Sequence, residues 1–105
     1  MEVRVVDVQE GSRFEIRVDG ETAGFAAYHR RPGVIAFVHT EIDPRFEGHG
    51  LASELISAAL STARSEGRSV LPFCPFVRGY IARHGEYLDL VPSERRVEFQ
   101  LTDHV

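Results

Sequence analysis

The segment that decides the fold is Arg45-Phe46-Glu47-Gly48-His49-Gly50-Leu51-Ala52. It follows an extended run and precedes a stretch with helical periodicity, so it joins a strand to a helix. At the start of a helix, the first backbone N–H groups have no intrahelical partner and the helix dipole is positive. Gly48 and Gly50 let this backbone approach an anion without a Cβ in the way. On spacing alone, two glycines before a helix are more typical of a plain turn, and a phosphate-binding turn is the alternative.

The helix predicted after this turn is amphipathic. Its apolar stripe contains Leu51, Leu55, Ala59 and Ala63, and Gly67 supplies the stop signal. Polar residues occupy the other face. We therefore expect this helix to lie on a sheet.

Four strands are predicted before the turn, because apolar and polar residues roughly alternate there. They are Val3 to Val8, Phe14 to Val18, Thr22 to Tyr28 and Val34 to Glu41. Asp19-Gly20 between the second and third runs is a strong hairpin signal, because both residues tolerate positive φ. The first half of the chain is therefore predicted to be an antiparallel meander.

The region after the helix completes the predicted fold. Ser69 to Phe73 is suited to a buried strand, and a helical connection from Val34–Glu41 makes a right-handed crossover between parallel strands. A short second helix is expected from Val77 to His84, ended by Gly85, and Val97 to Leu101 alternates as a last strand. The expected class is α/β (α+β) with one mixed sheet.

Composition narrows the function classes. The 105 residues are 43% hydrophobic, which fits a single domain over 1–105. The net charge of −4 argues against broad nucleic-acid binding. A lone cysteine, Cys74, cannot form an internal disulfide. The charged N-terminus does not resemble a signal peptide, so we expect a cytoplasmic protein without a membrane role.

A family resemblance begins at the glycine turn. Arg45-x-x-Gly48-x-Gly50, placed after His39-Thr40-Glu41, resembles the acetyl-CoA motif of the GNAT acetyltransferases. The likeness runs from about Val34 to Val91. Within that superfamily, the chain is similar to a small single-domain branch. That branch is marked by the His-Thr-Glu segment, the glycine turn and a segment of the kind Pro72-Phe73-Cys74-Pro75-Phe76-Val77.

The resemblance implies acetyl-CoA or CoA as the cofactor. The pyrophosphate would sit on the amides of Gly48 to Ala52, and the pantetheine arm would pair between the splayed strands Val34–Glu41 and Val70–Phe73. Arg45 is the strongest arginine candidate for the phosphates. The full set implied for cofactor binding is Thr40, Ile42, Arg45, Glu47, Gly48, His49, Gly50, Leu51, Ala52, Cys74, Phe76, Arg78, Tyr80 and Arg83.

Two strand residues are candidates for proton transfer. Residues two apart on a strand share a face, so we expect Phe37, His39 and Glu41 to point one way, and Val38 and Thr40 the other. His39 could take a proton from an ammonium near neutral pH, while Glu41 orients it or attracts a cationic acceptor. The alternative is a solvated pair at a strand end.

Cys74 is the third catalytic candidate. It follows the last parallel strand, near the expected thioester, and could accept the acetyl group as a thiolate. Alternatively it packs as a small hydrophobe or contacts the cofactor. His84 and Glu86 lack a third ligand at suitable spacing, so we expect no metal.

Two departures from the wider superfamily leave the acceptor undefined. Only Glu10–Arg13 joins the first two strands, where larger members insert helices, and Ile81 occupies the place of a frequent tyrosine acid. The expected function is N-acetyl transfer from acetyl-CoA directly to an amine, either a small amine or a protein lysine. The alternatives are a non-catalytic acyl-CoA-binding module and covalent transfer through Cys74.

Overall fold

The computed structural model describes residues 1–101, and its centre is a five-stranded mixed sheet. The strands lie in chain order, and they are β1 (Val3–Val8), β2 (Arg13–Val18), β3 (Glu21–Arg31), β4 (Val34–Ile42) and β5 (Ser69–Pro72). β1 to β4 pair antiparallel, and β4 pairs with β5 in parallel. The predicted meander and parallel pair are confirmed.

The hairpin between β2 and β3 has the geometry that its sequence predicts. Asp19 and Gly20 have φ angles of 50° and 85°. Two successive left-handed residues match the twist of the flanking strands.

Two α-helices follow the meander, α1 (Leu51–Ser65) and α2 (Pro75–Arg83). Gly67 ends α1 at φ 70°, and the N–H of Arg68 donates to the carbonyl of Ala63, which is a Schellman arrangement. The apolar stripe of α1 joins the core with side chains from β2 to β5; the buried helix residues are Leu51, Leu55, Ile56, Ala59, Leu60 and Ala63. The predicted amphipathic helix is confirmed.

The predicted last strand, Val97 to Leu101, is wrong. The N–H groups of Phe99 and Leu101 both donate to the carbonyl of Arg96, and Gln100 is left-handed at φ 58°. These are turns, preceded by a short 3-10 segment (Ser93–Arg95). Phe99 and Leu101 are nevertheless buried. The alternation of apolar and polar residues therefore reflects which side chains of the turn are buried, and does not indicate a strand.

A β-bulge in β4 changes which residues share a face. Tyr28 pairs with Phe37 and Ala27 pairs with His39, so Val38 is the extra residue on β4. Phe37 therefore faces the buried side with Tyr28, whereas His39 faces the other side with Ala27. The prediction that Phe37 shares a face with His39 and Glu41 is wrong, because period two breaks at the bulge.

Within residues 1–101, no helix has both the length and the apolar character needed to cross a bilayer.

Candidate functional site

A cleft of about 370 Å³ lies where β4 ends and α1 begins. It opens at the turn that joins the two elements. Its lining residues are Thr40, Ile42, Phe46, Glu47, Gly48, Gly50, Leu51, Ala52, Ser53 and Phe76. Eight of these ten were predicted from the sequence as cofactor-binding residues; Phe46 and Ser53 were missed.

The glycine turn lines the cleft at the uncapped start of α1. Gly48 and Gly50 have φ angles of 87° and 71°, and a Cβ built on either would meet no atom within 4 Å. Gly50 immediately precedes α1, and no side chain caps this end of the helix. The first amides of α1 are therefore left to another hydrogen-bond acceptor, and the helix dipole favours a negative one.

The wall opposite the turn comes from the end of β4. The bulge at Val38 sets Thr40 and Ile42 on the buried side of the sheet, where they line the cleft. β4 pairs with β5 only over Val34–Phe37, and the N–H of Cys74 then donates to the carbonyl of Phe37 at 2.8 Å. The chain turns into α2 at that point. β4 therefore continues to Ile42 beside the cleft without a β5 partner.

His39 and Glu41 lie on the other face of β4. His39 Nε2 is 3.2 Å from Glu41 Oε2, and the two side chains are 59% and 64% exposed. The ring of Phe25 on β3 lies 5.9 Å from that of His39. A second cleft of about 330 Å³ adjoins this face, and Phe25 and Glu41 help to line it. The structure therefore brings His39 and Glu41 together, but separates them from the first cleft by the thickness of the sheet.

Cys74 is buried beside the first cleft without lining it. Its side chain belongs to the core, and Sγ lies 3.3 Å from Thr40 Oγ1. The contact joins the residue that precedes α2 to the end of β4. Thr40 itself lines the cleft.

Arg45 does not line the cleft, and carboxylates engage its guanidinium. Its Nη2 donates to Glu21 on β3 at 2.5 Å and to Asp43 at 3.2 Å, and its Nε also bonds Asp43. These hydrogen bonds lower the pKa of the Asp43 carboxyl and, led by the Asp43 contact, raise the pKa of Arg45.

The remaining predicted residues do not line the first cleft. Arg78 instead lines a separate cleft of about 240 Å³ beside Phe99. Tyr80 is buried and stacks on His84 at 4.1 Å. His49 and Arg83 are exposed.

Of the two residues that were not predicted, Phe46 lies inside the Arg45–Gly50 motif, so its position could have indicated that it lines the cleft. Ser53 had no signal beyond its place in the first turn of α1. Over the described part of the chain, no three histidine, cysteine, aspartate or glutamate side chains are grouped to hold a metal ion.

Comparison with known proteins gives a family match. Residues 13–90 match the model of the family described as GCN5-related N-acetyl-transferase. A comparison with curated proteins finds no match.

Several solved structures are similar to this chain, including one from Thermoplasma volcanium and one from Brucella melitensis. Ard1 from Thermoplasma volcanium shares 28% identity over 56% of this chain and 41% of its own length, with a TM-score of 0.50. The ribosomal-protein-alanine N-acetyltransferase from Brucella melitensis biovar Abortus 2308 shares 24% identity over 57% of this chain and 45% of its own, with a TM-score of 0.51. The matched region spans less than half of the length of each of these two relatives. The second similarity supports the fold alone.

Proposed function

This chain belongs to the family of GCN5-related N-acetyltransferases, and on that premise we propose that it binds acetyl-CoA and transfers the acetyl group to an amine. The observation that carries the proposal is the cleft at the start of α1. Its glycine turn, uncapped helix amides and β4 wall occur together at the position where the family resemblance implies the cofactor.

The pyrophosphate is assigned to the amides of Gly48 to Ala52. Two left-handed glycines and an uncapped helix start support this assignment, because they offer N–H donors with no side chain in front of them. The pantetheine arm is assigned to the segment of β4 past Phe37, where β5 no longer pairs with it. The thioester then reaches the opening between the two strands.

Direct transfer requires a neutral amine and an acceptor for its proton. The nitrogen forms a bond to the acetyl carbon, the carbon–sulfur bond breaks, and CoA leaves as a thiolate that takes up a proton. His39 is proposed as the base that removes the amine proton, with Glu41 orienting the imidazole. Their 3.2 Å contact and their exposure to solvent support these roles.

The two faces of β4 suggest how the substrates meet. The cofactor cleft lies on the α1 side, and the His39–Glu41 pair lies on the other side. The acceptor amine therefore approaches from the face opposite α1 and reaches the thioester through the opening between β4 and β5. The β1–β2 connection is a single short 3-10 turn (Gln9–Gly11), so it adds little wall on that face.

Covalent transfer through Cys74 is the second candidate. The contact between its sulfur and Thr40, a cleft residue, favours some role near the thioester. Cys74 is only 3% exposed as a residue, however, so nucleophilic attack by its thiol requires local opening of the start of α2. Direct transfer is therefore the leading proposal.

The test combines binding and turnover. Acetyl-CoA and CoA are titrated into the protein by calorimetry, and transfer is then assayed with a panel of small amines and lysine peptides. His39→Ala should lower kcat by about 100-fold or more, the usual range for a general base, with little change in cofactor Kd. His29→Ala is the matched control, because His29 is an exposed histidine on the neighbouring strand β3.

Each outcome has a distinct meaning. Normal turnover in His39→Ala removes His39 from the mechanism, and normal turnover in Cys74→Ala excludes the covalent route. Tight cofactor binding without transfer to any amine would identify a non-catalytic acyl-CoA-binding module instead. Absence of cofactor binding would defeat the proposal.

A further inference from the structure

The guanidinium of Arg45 is engaged by carboxylates although its motif position suggests a phosphate ligand. Nη2 bonds Glu21 Oε2 at 2.5 Å and Asp43 Oδ2 at 3.2 Å, and Nε lies 3.3 Å from Asp43 Oδ1. A phosphate would compete for the same N–H groups, because guanidinium binds carboxylate and phosphate through the same planar donor fork.

Arg45 lies over an aromatic ring that lines the cleft. Its guanidinium carbon is 5.3 Å from the centroid of the Phe46 ring, and Phe46 itself lines the cleft. The Arg45 side chain is 63% exposed, so solvent rather than packed atoms surrounds most of it. A change of side-chain rotamer could therefore carry the charge toward the glycine turn.

The two carboxylates hold Arg45 in different ways. Asp43 belongs to the same short turn, and its Oδ1 also accepts the backbone N–H of Arg45 at 2.9 Å, so this contact is local. Glu21 begins β3 and is 24 residues distant in sequence. Glu21 is thus the partner that ties the guanidinium to the sheet.

We propose that Glu21 competes with the phosphates of CoA for Arg45, so that Glu21 is a determinant of cofactor affinity. The inference rests on the proposed function, since it assumes that CoA occupies the cleft. On binding, Arg45 exchanges its Glu21 contact for a phosphate contact. Both partners are more than half exposed, and exposed ion pairs of this kind are weak, so the exchange is readily reversible.

The test is a double-mutant cycle on CoA affinity, with wild type, Glu21→Gln, Arg45→Gln and the double variant measured by calorimetry in one buffer. Glu21→Gln should tighten CoA binding by roughly two- to five-fold, the range expected for release of an exposed ion pair. In the Arg45→Gln background, the same change should have no effect beyond that of a control. The control is Glu10→Gln, an exposed glutamate in the short turn after β1. Thermal unfolding of each variant verifies that it is folded.

The outcomes separate this inference from the proposed function. Tightening that depends on Arg45 supports the competition. Equal tightening with and without Arg45 would show an effect of net charge alone and would overturn the inference. Unchanged or weaker binding by Glu21→Gln would also overturn it. In both of those cases CoA still binds, and the proposed function stands. If wild type and Glu21→Gln both fail to bind CoA, the proposed function fails and the inference fails with it.

Discussion

Replacing Gly48 by alanine separates the conformational cost of the glycine turn from its role in binding. Gly48 has φ 87°, and Gly33, in the turn between β3 and β4, has φ 75°. Neither position has an atom within 4 Å of an added Cβ, so alanine meets no clash at either site. The expected loss of stability is therefore the left-handed strain alone, about 1 kcal/mol for each variant.

The two variants should differ in cofactor binding. Gly48 lines the cleft, and its added Cβ would stand between the turn amides and the phosphate. Gly48→Ala should raise the Kd for CoA at least tenfold, or about 1.4 kcal/mol. Gly33→Ala should bind as the wild type does, because its turn lines no part of this cleft.

Urea denaturation gives the stability of both variants, and calorimetry gives their affinity for CoA. Equal affinity in Gly48→Ala and Gly33→Ala would refute the assignment of the phosphate to the turn. A loss of affinity in Gly33→Ala matching that in Gly48→Ala would refute it too, since strain alone would then account for the effect.

Two further predictions concern the sheet that positions the site. Glu15 is 6% exposed and accepts hydrogen bonds from Arg13 and Arg17, and the Arg17 bond is the largest cause lowering its pKa below the ordinary 4.5. A depressed carboxyl pKa stabilises the fold above the unfolded-state value, and this contribution is lost as the pH falls through the folded-state pKa. Glu15→Gln should therefore lower the free energy of unfolding at pH 7, measured by urea denaturation, by about 1–2 kcal/mol. The difference in free energy of unfolding from wild type should shrink below about pH 4.5. A difference that grows on acidification would contradict this prediction. Gly24→Ala should destabilise by about 1–3 kcal/mol, since its Cβ would lie 2.5 Å from the carbonyl oxygen of Glu41 and 2.5 Å from Cδ1 of Ile42. Unchanged stability in a thermal melt would show that the β3–β4 contact adjusts freely.

Local patterns in the sequence predicted most of the architecture. The alternation in β1 to β4, the Asp19-Gly20 turn and the apolar stripe of α1 each reflect short-range rules, and each appears in the structure. The glycine turn was likewise predicted from the sequence, because glycine is the residue that most readily adopts the left-handed backbone found at Gly48 and Gly50.

The features that the sequence did not predict depend on tertiary contacts. The bulge at Val38 is a property of how β4 pairs with β3, and no residue type marks it. The segment Val97 to Leu101 alternates like a strand, but its hydrogen bonds close within the segment and back to Arg96. The Arg45–Glu21 contact joins residues 24 apart and follows only from the placement of β3 beside the turn.

Amide NMR spectra recorded during a titration with acetyl-CoA test the central claim most directly, since they locate the ligand on the chain. We expect the largest shifts on the amides of Gly48, Gly50 and Ala52 and on Thr40 across the cleft. Little change should occur around Gly33, which lies in the turn between β3 and β4. Shifts confined to the second cleft, or glycine-turn amides that stay in place while acetyl-CoA binds elsewhere, would contradict the central claim.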